Sequence, residues 1–408
     1  MVAADTARLE RGQLDVISTD AALTAAIERL AAGTGPVAID TERASGYRYS
    51  DRAYLVQLYR RGTGTLLIDP IPFGSLASVG EVIANEQWVL HAATQDLPCL
   101  REIDLDPVDI FDTELASRLL GKERVGLGAI VHELLGIELA KAHSAADWSR
   151  RPLPADWLAY AALDVELLVD VRDKLAVELH EQGKAGWAQE EFADVLQREL
   201  RPQRSEPWRR LSGIHTLQRP RQLAIARELW QARDSYARET DTAPGRIVPD
   251  RALTAVVKQM PRSRGELAGM KSFTGPESRS QLDRWWQAIE RGRSTDDLPQ
   301  KQPADPNRIP SPRAWATKKP EADARLQLAR SAMADAATAH QLPTENLLTP
   351  ALLRRAAWEP KGETAEQVGD QLRALGAREW QINISAPIIA HAFVVARQTN
   401  QVPQTEAD

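Results

Sequence analysis

Two acidic residues follow a short apolar run near the start of the chain. The stretch PVAIDTERASGYRYSDRAYLVQL (36–58) places Asp40 and Glu42 two residues apart, directly after residues 37–39. Residues i and i+2 of a β-strand point to the same face, so the two carboxylates would project together. Like charges held this close repel each other unless a cation lies between them. The spacing therefore suggests a metal site.

Further acidic residues occupy two other unusual positions. Asp96 stands at the start of a predicted helix that opens at Thr94, just after an apolar strand that ends at His91. Tyr160 and Asp164 lie four residues apart in DWLAYAALDVELLVDV, so they would share one face of a largely buried helix. Each has a structural alternative, because Asp96 could favour the helix dipole and Tyr160 could simply bond to Asp164. Together, four carboxylates and a phenol supply the hard oxygen ligands that suit Mg²⁺ or Mn²⁺.

The composition is that of a globular chain with more than one core. The chain has 408 residues, of which 43% are apolar and 26% charged, and this length suggests two or three domains. The formal net charge of −6 gives no global sign of nucleic-acid binding. Cys99 is the only cysteine, so no internal disulfide can form, and we expect it to lie in the core. With no signal peptide or membrane span expected, we predict a cytoplasmic protein.

The order of predicted elements changes near residue 200. Up to about residue 195, strand-like and helix-like segments alternate, which indicates an α/β fold that contains an antiparallel meander of VAID, AYLVQLY and GTLLID. Helices are predicted to end at Gly121 and Gly136. Beyond residue 200 only helical patterns occur. They are interrupted by a Pro-rich stretch at 294–320 that we interpret as a linker.

The acidic motifs resemble those of the DEDDy 3′→5′ exonucleases, which carry Asp-x-Glu, Asp and Tyr-x-x-x-Asp in this order. The resemblance extends to LIDP (67–70), FDTELASRLLG (111–121) and KAHSAADWSRRPL (141–153), and covers most of residues 14–185. The last of these segments resembles bacterial ribonuclease D in particular. The resemblance implies a ribonuclease H-like α/β exonuclease domain over residues 1–200, with a mixed sheet flanked by helices.

The resemblance also implies hydrolysis with two divalent cations, Mg²⁺ or Mn²⁺. Asp40 would bridge both ions, and Glu42 and Asp164 would complete the site of the ion that binds the attacking water. Asp96 would serve the second ion, and Tyr160 would orient the water.

Candidate substrate-binding residues lie near the first and last motifs. Arg150 and Arg151 could hold phosphates, and Trp148 could stack on a base, although a buried Trp148 that anchors the loop is an equal alternative. Tyr47, with Tyr49, is a weaker candidate for stacking.

The helical part resembles the helicase-and-RNase-D C-terminal (HRDC) domain. The features that carry this resemblance are AREL and Trp230 (226–230), GRIVPDRAL (245–253) and MPRSRGELAGM (260–270). We predict a first HRDC domain with an Arg-rich connector at 201–293, and a second HRDC-like domain at 321–396. A polar tail follows at 397–408. Both helical domains would be all-α.

The resemblance implies a 3′→5′ exoribonuclease that acts on single-stranded RNA 3′ ends and releases 5′-nucleotides, with transfer-RNA precursors as substrates. Two alternatives remain. One is a DNA 3′→5′ exonuclease, because recognition of the 2′-hydroxyl group cannot be read from sequence. The other is a non-catalytic RNA-binding scaffold on the same fold. From the sequence we expect no association with a membrane, and it identifies no particular protein partner.

Overall fold

A six-stranded mixed sheet forms the centre of the N-terminal part. The computed structural model describes residues 14–139, 145–198, 205–300 and 309–401. The strands are β1 (Val16–Ile17), β2 (Thr34–Arg43), β3 (Ala53–Arg61), β4 (Gly64–Ile68), β5 (Trp88–Leu90) and β6 (Ile110–Asp112). Their spatial order is β1-β4-β3-β2-β5-β6. The pairs β2–β3 and β3–β4 are antiparallel, and the other pairs are parallel. The predicted meander and mixed sheet are confirmed.

Eight helices accompany the sheet within the described residues. They are α1 (Asp20–Ala32), α2 (Ala77–Val82), α3 (Leu97–Arg101), α4 (Thr113–Leu119), α5 (Leu127–Leu135), α6 (Ala155–Glu166), α7 (Leu168–Glu181) and α8 (Ala185–Gln197). The helix predicted to open at Thr94 instead begins at Leu97, because a 3₁₀ turn (Ala93–Gln95) comes first. The predicted helix ends at Gly121 and Gly136 are confirmed, since both glycines adopt the left-handed conformation that closes a helix.

Helices pack against both faces of the sheet. On one face, Leu30 of α1 belongs to the same core as Ile39 and Val56. On the other face, Leu158 of α6 packs with Leu55 and similar residues of β3 and β4. Strands buried on both faces are mostly apolar, which explains why β3 reads AYLVQLY, with Gln57 as the exception. A polar residue in such a strand therefore needs a specific reason.

A second core lies in the first helical region. Its helices are α9 (Pro220–Glu239), α10 (Pro244–Ile247), α11 (Asp250–Gln259), α12 (Arg264–Ala268), α13 (Pro276–Ser280) and α14 (Leu282–Ser294). Trp285, Leu229 and Val257 are fully buried there, and Trp208 of the preceding connector joins them.

The C-terminal helices share their core with the sheet domain. They are α15 (Trp315–Lys318), α16 (Pro320–Ala339), α17 (Thr344–Leu347), α18 (Pro350–Trp358), α19 (Ala365–Ala374) and α20 (Glu379–Gln401). Trp315 is fully buried beside Trp358, so the end of the stretch interpreted as a linker packs with these helices. Thr349 immediately precedes α18, but its side chain makes no capping bond.

The domain boundaries remain predictions. The helices of the described segments include none long and apolar enough to cross a bilayer.

Candidate active site

Strand β2 carries two carboxylates at the centre of the sheet. In the register with β3, Asp40 lies opposite Gln57 and Glu42 lies opposite Leu55. Leu55 belongs to the core under α6, so both acids face this helix. Glu42 is only 8% exposed, and Asp40 is half-buried. The pleat of the strand therefore directs two acids into one partly enclosed space, as the sequence spacing predicts.

Helix α6 brings the third carboxylate and the phenol to the same place. Its buried residues Ala161 and Ala162 allow the helix to approach the strands closely. Carboxylate oxygens of Asp40, Glu42 and Asp164 all lie within 4.8 Å of one another. The side chains of Tyr160 and Asp164 are joined by a hydrogen bond, which fits their four-residue spacing.

Asp96 lies next to this cluster at the start of α3. It is 4% exposed, and its Oδ1 accepts a hydrogen bond of 2.7 Å from Oγ1 of Thr41. Arg43 Nη2 lies 3.9 Å from the same oxygen. Cys99 is buried there, with its Sγ 3.3 Å from the Thr41 hydroxyl, so the expected core position of this cysteine is confirmed. Asp96 thus stands beside Asp40 and Glu42, but outside the group of three.

Burial and mutual repulsion disfavour the charged forms of these acids. Burial, followed by the charge of Asp164, raises the pKa of Asp40 to about 7. Burial raises the pKa of Asp164 to about 7 as well, and burial followed by Asp40 raises that of Asp96 to about 8. The pKa of Glu42 is raised for the same reasons. A divalent cation would remove this penalty, since it compensates the repulsion between the carboxylates.

Another buried acid shows how the fold satisfies a carboxylate without a cation. Asp112, 1% exposed at the start of α4, accepts four backbone N–H bonds of 2.8–3.1 Å, from Ala92, Ala93, Glu114 and Leu115. In the cluster of Asp40, Glu42 and Asp164, each carboxylate faces other carboxylates. An oxygen-only ligand set of this kind fits Mg²⁺ or Mn²⁺ rather than zinc.

A cleft of about 610 Å³ opens beside the carboxylates. The residues that line it include Asp40, Asp164 and Tyr160, together with Arg124 and His132. Sequence reasoning missed Arg124 and His132, because the segment around α5 reads only as an amphipathic helix. No signal in one sequence could have linked them to this site.

His91, interpreted from the sequence as a strand-end residue, also lines the cleft. Its Nδ1 lies 2.9 Å from Oγ1 of Thr113, and burial lowers its pKa to about 4. The ring is therefore neutral near pH 7.

The structure corrects the stacking role predicted for Trp148. This side chain is fully buried, and its ring lies 5.1 Å from that of Trp157. A base cannot reach it, so the alternative of a buried anchor holds. Arg150 is exposed, with its guanidinium 5.8 Å from the Trp157 ring, and its phosphate-binding role stays a prediction.

Arg151 and Tyr47 are occupied by contacts within the protein. The Arg151 guanidinium donates to Asp69 at 2.6 Å and to backbone carbonyls, including that of Tyr54 at 2.8 Å. The ring of Tyr47 is covered by the guanidinium of Arg246, 3.9 Å away. Both residues fix loops around the site, which argues against the direct substrate contacts predicted for them.

Family models match three parts of the chain. A 3′–5′ exonuclease model covers residues 14–180, an HRDC domain model covers 222–289, and a model for a 3′ to 5′ exonuclease C-terminal domain covers 308–393. The fold, the carboxylate cluster and these matches define a 3′–5′ exonuclease.

Comparison with individual relatives identifies the family within this class of exonucleases. Ribonuclease D of Serratia proteamaculans is 33% identical over 269 residues, which are 65% of this chain and 71% of the relative. The chain belongs to the ribonuclease D family. The crystal structure of ribonuclease D from Escherichia coli, an exoribonuclease involved in structured RNA processing, aligns with a TM-score of 0.68 at 25% identity over 95% of this chain and 99% of that one.

A protein from Bifidobacterium adolescentis is more similar in structure. Its crystal structure aligns with a TM-score of 0.87 at 35% identity, over 94% of this chain and 98% of that one. The whole three-part architecture therefore recurs in a solved structure.

Proposed function

We propose that this chain removes nucleotides from the 3′ ends of RNA by hydrolysis supported by two divalent cations, Mg²⁺ or Mn²⁺. The observation that carries the proposal is the convergence of Asp40, Glu42 and Asp164 within 4.8 Å. Membership of the ribonuclease D family supports RNA as the substrate. Precursors of transfer RNA are the substrates that we propose within this class.

Asp40, Glu42, Asp164 and the adjacent Asp96 would hold the cations. The ions, when bound, activate water and stabilise the leaving oxygen of the phosphodiester. Thr41 and Arg43 hold the Asp96 carboxylate in place, because both reach its Oδ1.

Tyr160 would orient the attacking water through its hydroxyl group. Burial, followed by the charge of Asp164, raises its pKa above the usual value, so the phenol stays protonated at neutral pH. Its hydrogen bond with Asp164 fixes the ring in the cleft. The phenol oxygen can then accept a hydrogen bond from water while its proton remains in place.

Basic side chains at the cleft would receive the RNA backbone. Arg124 is exposed and lines the cleft, and the described residues provide no ion-pair partner for it. Such a guanidinium suits phosphate. His132, which is exposed and also lines the cleft, would donate a hydrogen bond to the same backbone, and the exposed Arg150 stays a further candidate for phosphate binding. The single buried cysteine supports action in a reducing cytoplasm.

The proposal is tested with a 5′-labelled RNA that has a single-stranded 3′ tail, incubated with Mg²⁺ or with EDTA. The full chain should shorten it stepwise from the 3′ end with Mg²⁺ only. Asp40→Asn should lower the rate by more than about a hundredfold, the scale of loss for an oriented active-site group. Asp106→Asn, which changes an exposed acid of the same domain, is the matched control.

Two outcomes would favour the alternatives. Equal shortening of the matched DNA would favour a DNA exonuclease. RNA that is bound equally in Mg²⁺ and EDTA but never shortened would favour a non-catalytic scaffold.

A further inference from the structure

A fully buried glutamine in β3 lacks a hydrogen-bond partner among the described residues. Gln57 is 0% exposed, and both Nε2 and Oε1 of its amide are unpaired. A primary amide offers two N–H donors and one carbonyl acceptor. Buried polar groups in folded proteins are almost always paired, because an unpaired one costs free energy. This residue therefore requires an explanation that packing alone does not give.

The sheet register places Gln57 beside the carboxylates. It lies directly opposite Asp40 on β2, and side chains of such a pair lie on one face with Cβ atoms about 5 Å apart. On its other side it pairs with Leu67 of β4. Its same-face neighbours along β3 are Leu55 and Tyr59. The adjacent surroundings are thus mostly apolar, except on the side of Asp40.

Helix α6 covers this face of the sheet with apolar residues. Leu158, Ala161 and Ala162 are buried with Leu55 and Leu67 in one cluster. The polar groups that α6 brings to this face include Asp164 and Tyr160, which also belong to the site. A polar amide in this position has its natural partners in the carboxylate cluster.

We propose that Gln57 is a positioning residue of the metal centre, and that its amide N–H donates to the Asp40 carboxylate when a divalent cation is bound. This inference rests on the proposed function. The terminal torsion of glutamine is broad, so the amide can turn toward Asp40 while the backbone stays fixed. A neutral donor orients a carboxylate ligand and adds no charge that would compete with the cation.

The proposal predicts opposite effects on metal binding and on metal-free stability. Gln57→Met keeps the length of the side chain and removes both unpaired polar atoms, and Gln57→Leu does so with a branched side chain. Both variants should bind Mn²⁺ roughly 10- to 100-fold more weakly, as expected for a lost partner of a metal ligand. Without metal, Gln57→Met should raise Tm by about 1–3 °C, because no polar atom is left unpaired.

The experiment is a titration of the full chain with Mn²⁺ alone by calorimetry, with thermal unfolding in EDTA beside it. Ser385→Ala is the matched control, because Ser385 is also fully buried with an unpaired hydroxyl, but in α20. It should leave Mn²⁺ affinity unchanged.

If both Gln57 variants bind Mn²⁺ with wild-type affinity, this inference is overturned, whereas the proposed metal centre is not. A marked fall in metal-free Tm in both variants would also overturn it, because Gln57 would then have a structural partner. A wild-type chain that binds no Mn²⁺ would overturn the metal centre and this inference together.

Discussion

Buried aspartates in this chain have different environments. Asp112 is satisfied by backbone N–H groups, and Asp69 by the guanidinium of Arg151. Asp40 and Asp164 instead approach each other from a strand and a helix. At the level of single residues, the acids of the site differ from these two because their surroundings disfavour the charged form of the carboxylate. Their protonation should therefore be visible in the stability of the metal-free protein.

The metal-free protein should lose stability as the pH rises from about 4 to about 7. Asp40 and Asp164 have a usual pKa of 3.8 that the fold raises to about 7, so the folded chain retains protons that the unfolded chain releases. Stability then falls as the pH rises through the folded-state pKa. We expect a loss on the order of 1–3 kcal/mol, measured as the free energy of unfolding in EDTA.

A control variant separates the pH dependence caused by the acids from that caused by His91. Burial lowers the pKa of His91 to about 4, which gives a slope of opposite sign below about pH 6.5. Asp40→Asn keeps His91 and removes one carboxyl, so the difference between this variant and the wild type isolates the acids. Parallel pH profiles would contradict the prediction. Saturating Mn²⁺ should remove the loss, because the metal binds the deprotonated form.

At the scale of elements, residues 45–52 between β2 and β3 connect the site to the first helical region. The Tyr49 hydroxyl donates to Asp234 at 3.0 Å and accepts from Arg238 at 3.0 Å. Arg246 donates to the carbonyl of Gly46 at 2.6 Å. The same segment follows the strand of Asp40 and Glu42, so the HRDC-like region holds the end of the strand that carries them.

Tyr49→Phe should loosen this segment without unfolding either domain. The loss of two hydrogen bonds to charged groups at a partly exposed site should cost about 1 kcal/mol. Amide hydrogen exchange of residues 45–52 should become faster, and the Michaelis constant for RNA should rise.

Arg264→Ala breaks an exposed ion pair with Asp283 in the same region and serves as the control. Unchanged exchange in residues 45–52 of Tyr49→Phe would show that other contacts hold the segment.

Local patterns explain which parts of the site the sequence could predict. In β2, side chains alternate between the two faces of the sheet, and in α6, residues four apart share one face of the helix. These local patterns are enough to predict where the side chains of Asp40 and Asp164 point. The partners of Tyr49 lie 185 and 189 residues away, so no local period indicates them. The burial of Trp148 depends on Trp157 and on distant strands, which is why the sequence left a buried anchor and a base-stacking residue as equal alternatives.

At the scale of the whole molecule, the C-terminal helices and the sheet domain form one core. Trp380 is 2% exposed and stacks on Trp187 of α8 with ring centroids 4.8 Å apart. Its Nε1 donates to Glu191 at 2.9 Å, and Arg378 donates to the same carboxylate at 2.8 Å. The core around Trp285 is separate. Sequence patterns indicated the helices, but not which domain they would join.

This arrangement predicts two unfolding units. Trp380→Ala should destabilise the shared core by about 3–5 kcal/mol, the cost of removing a large buried aromatic side chain. Trp285→Ala should affect only the unfolding transition of the separate core in the first helical region. Urea unfolding followed by hydrogen exchange and mass spectrometry would assign each loss to its residues. Equal effects of both variants on all segments would mean that the chain has a single cooperative core.

We propose that the carboxylates of β2 and α6 hold divalent cations. Crystals grown with Mn²⁺ and measured at a wavelength where manganese scatters anomalously would show whether they do. We predict anomalous density bonded to Asp40, Glu42 and Asp164, a second peak on the side of Asp96, and neither peak in Asp40→Asn. Manganese found only elsewhere, or density that persists unchanged in the variant, would show that these carboxylates do not form the metal centre.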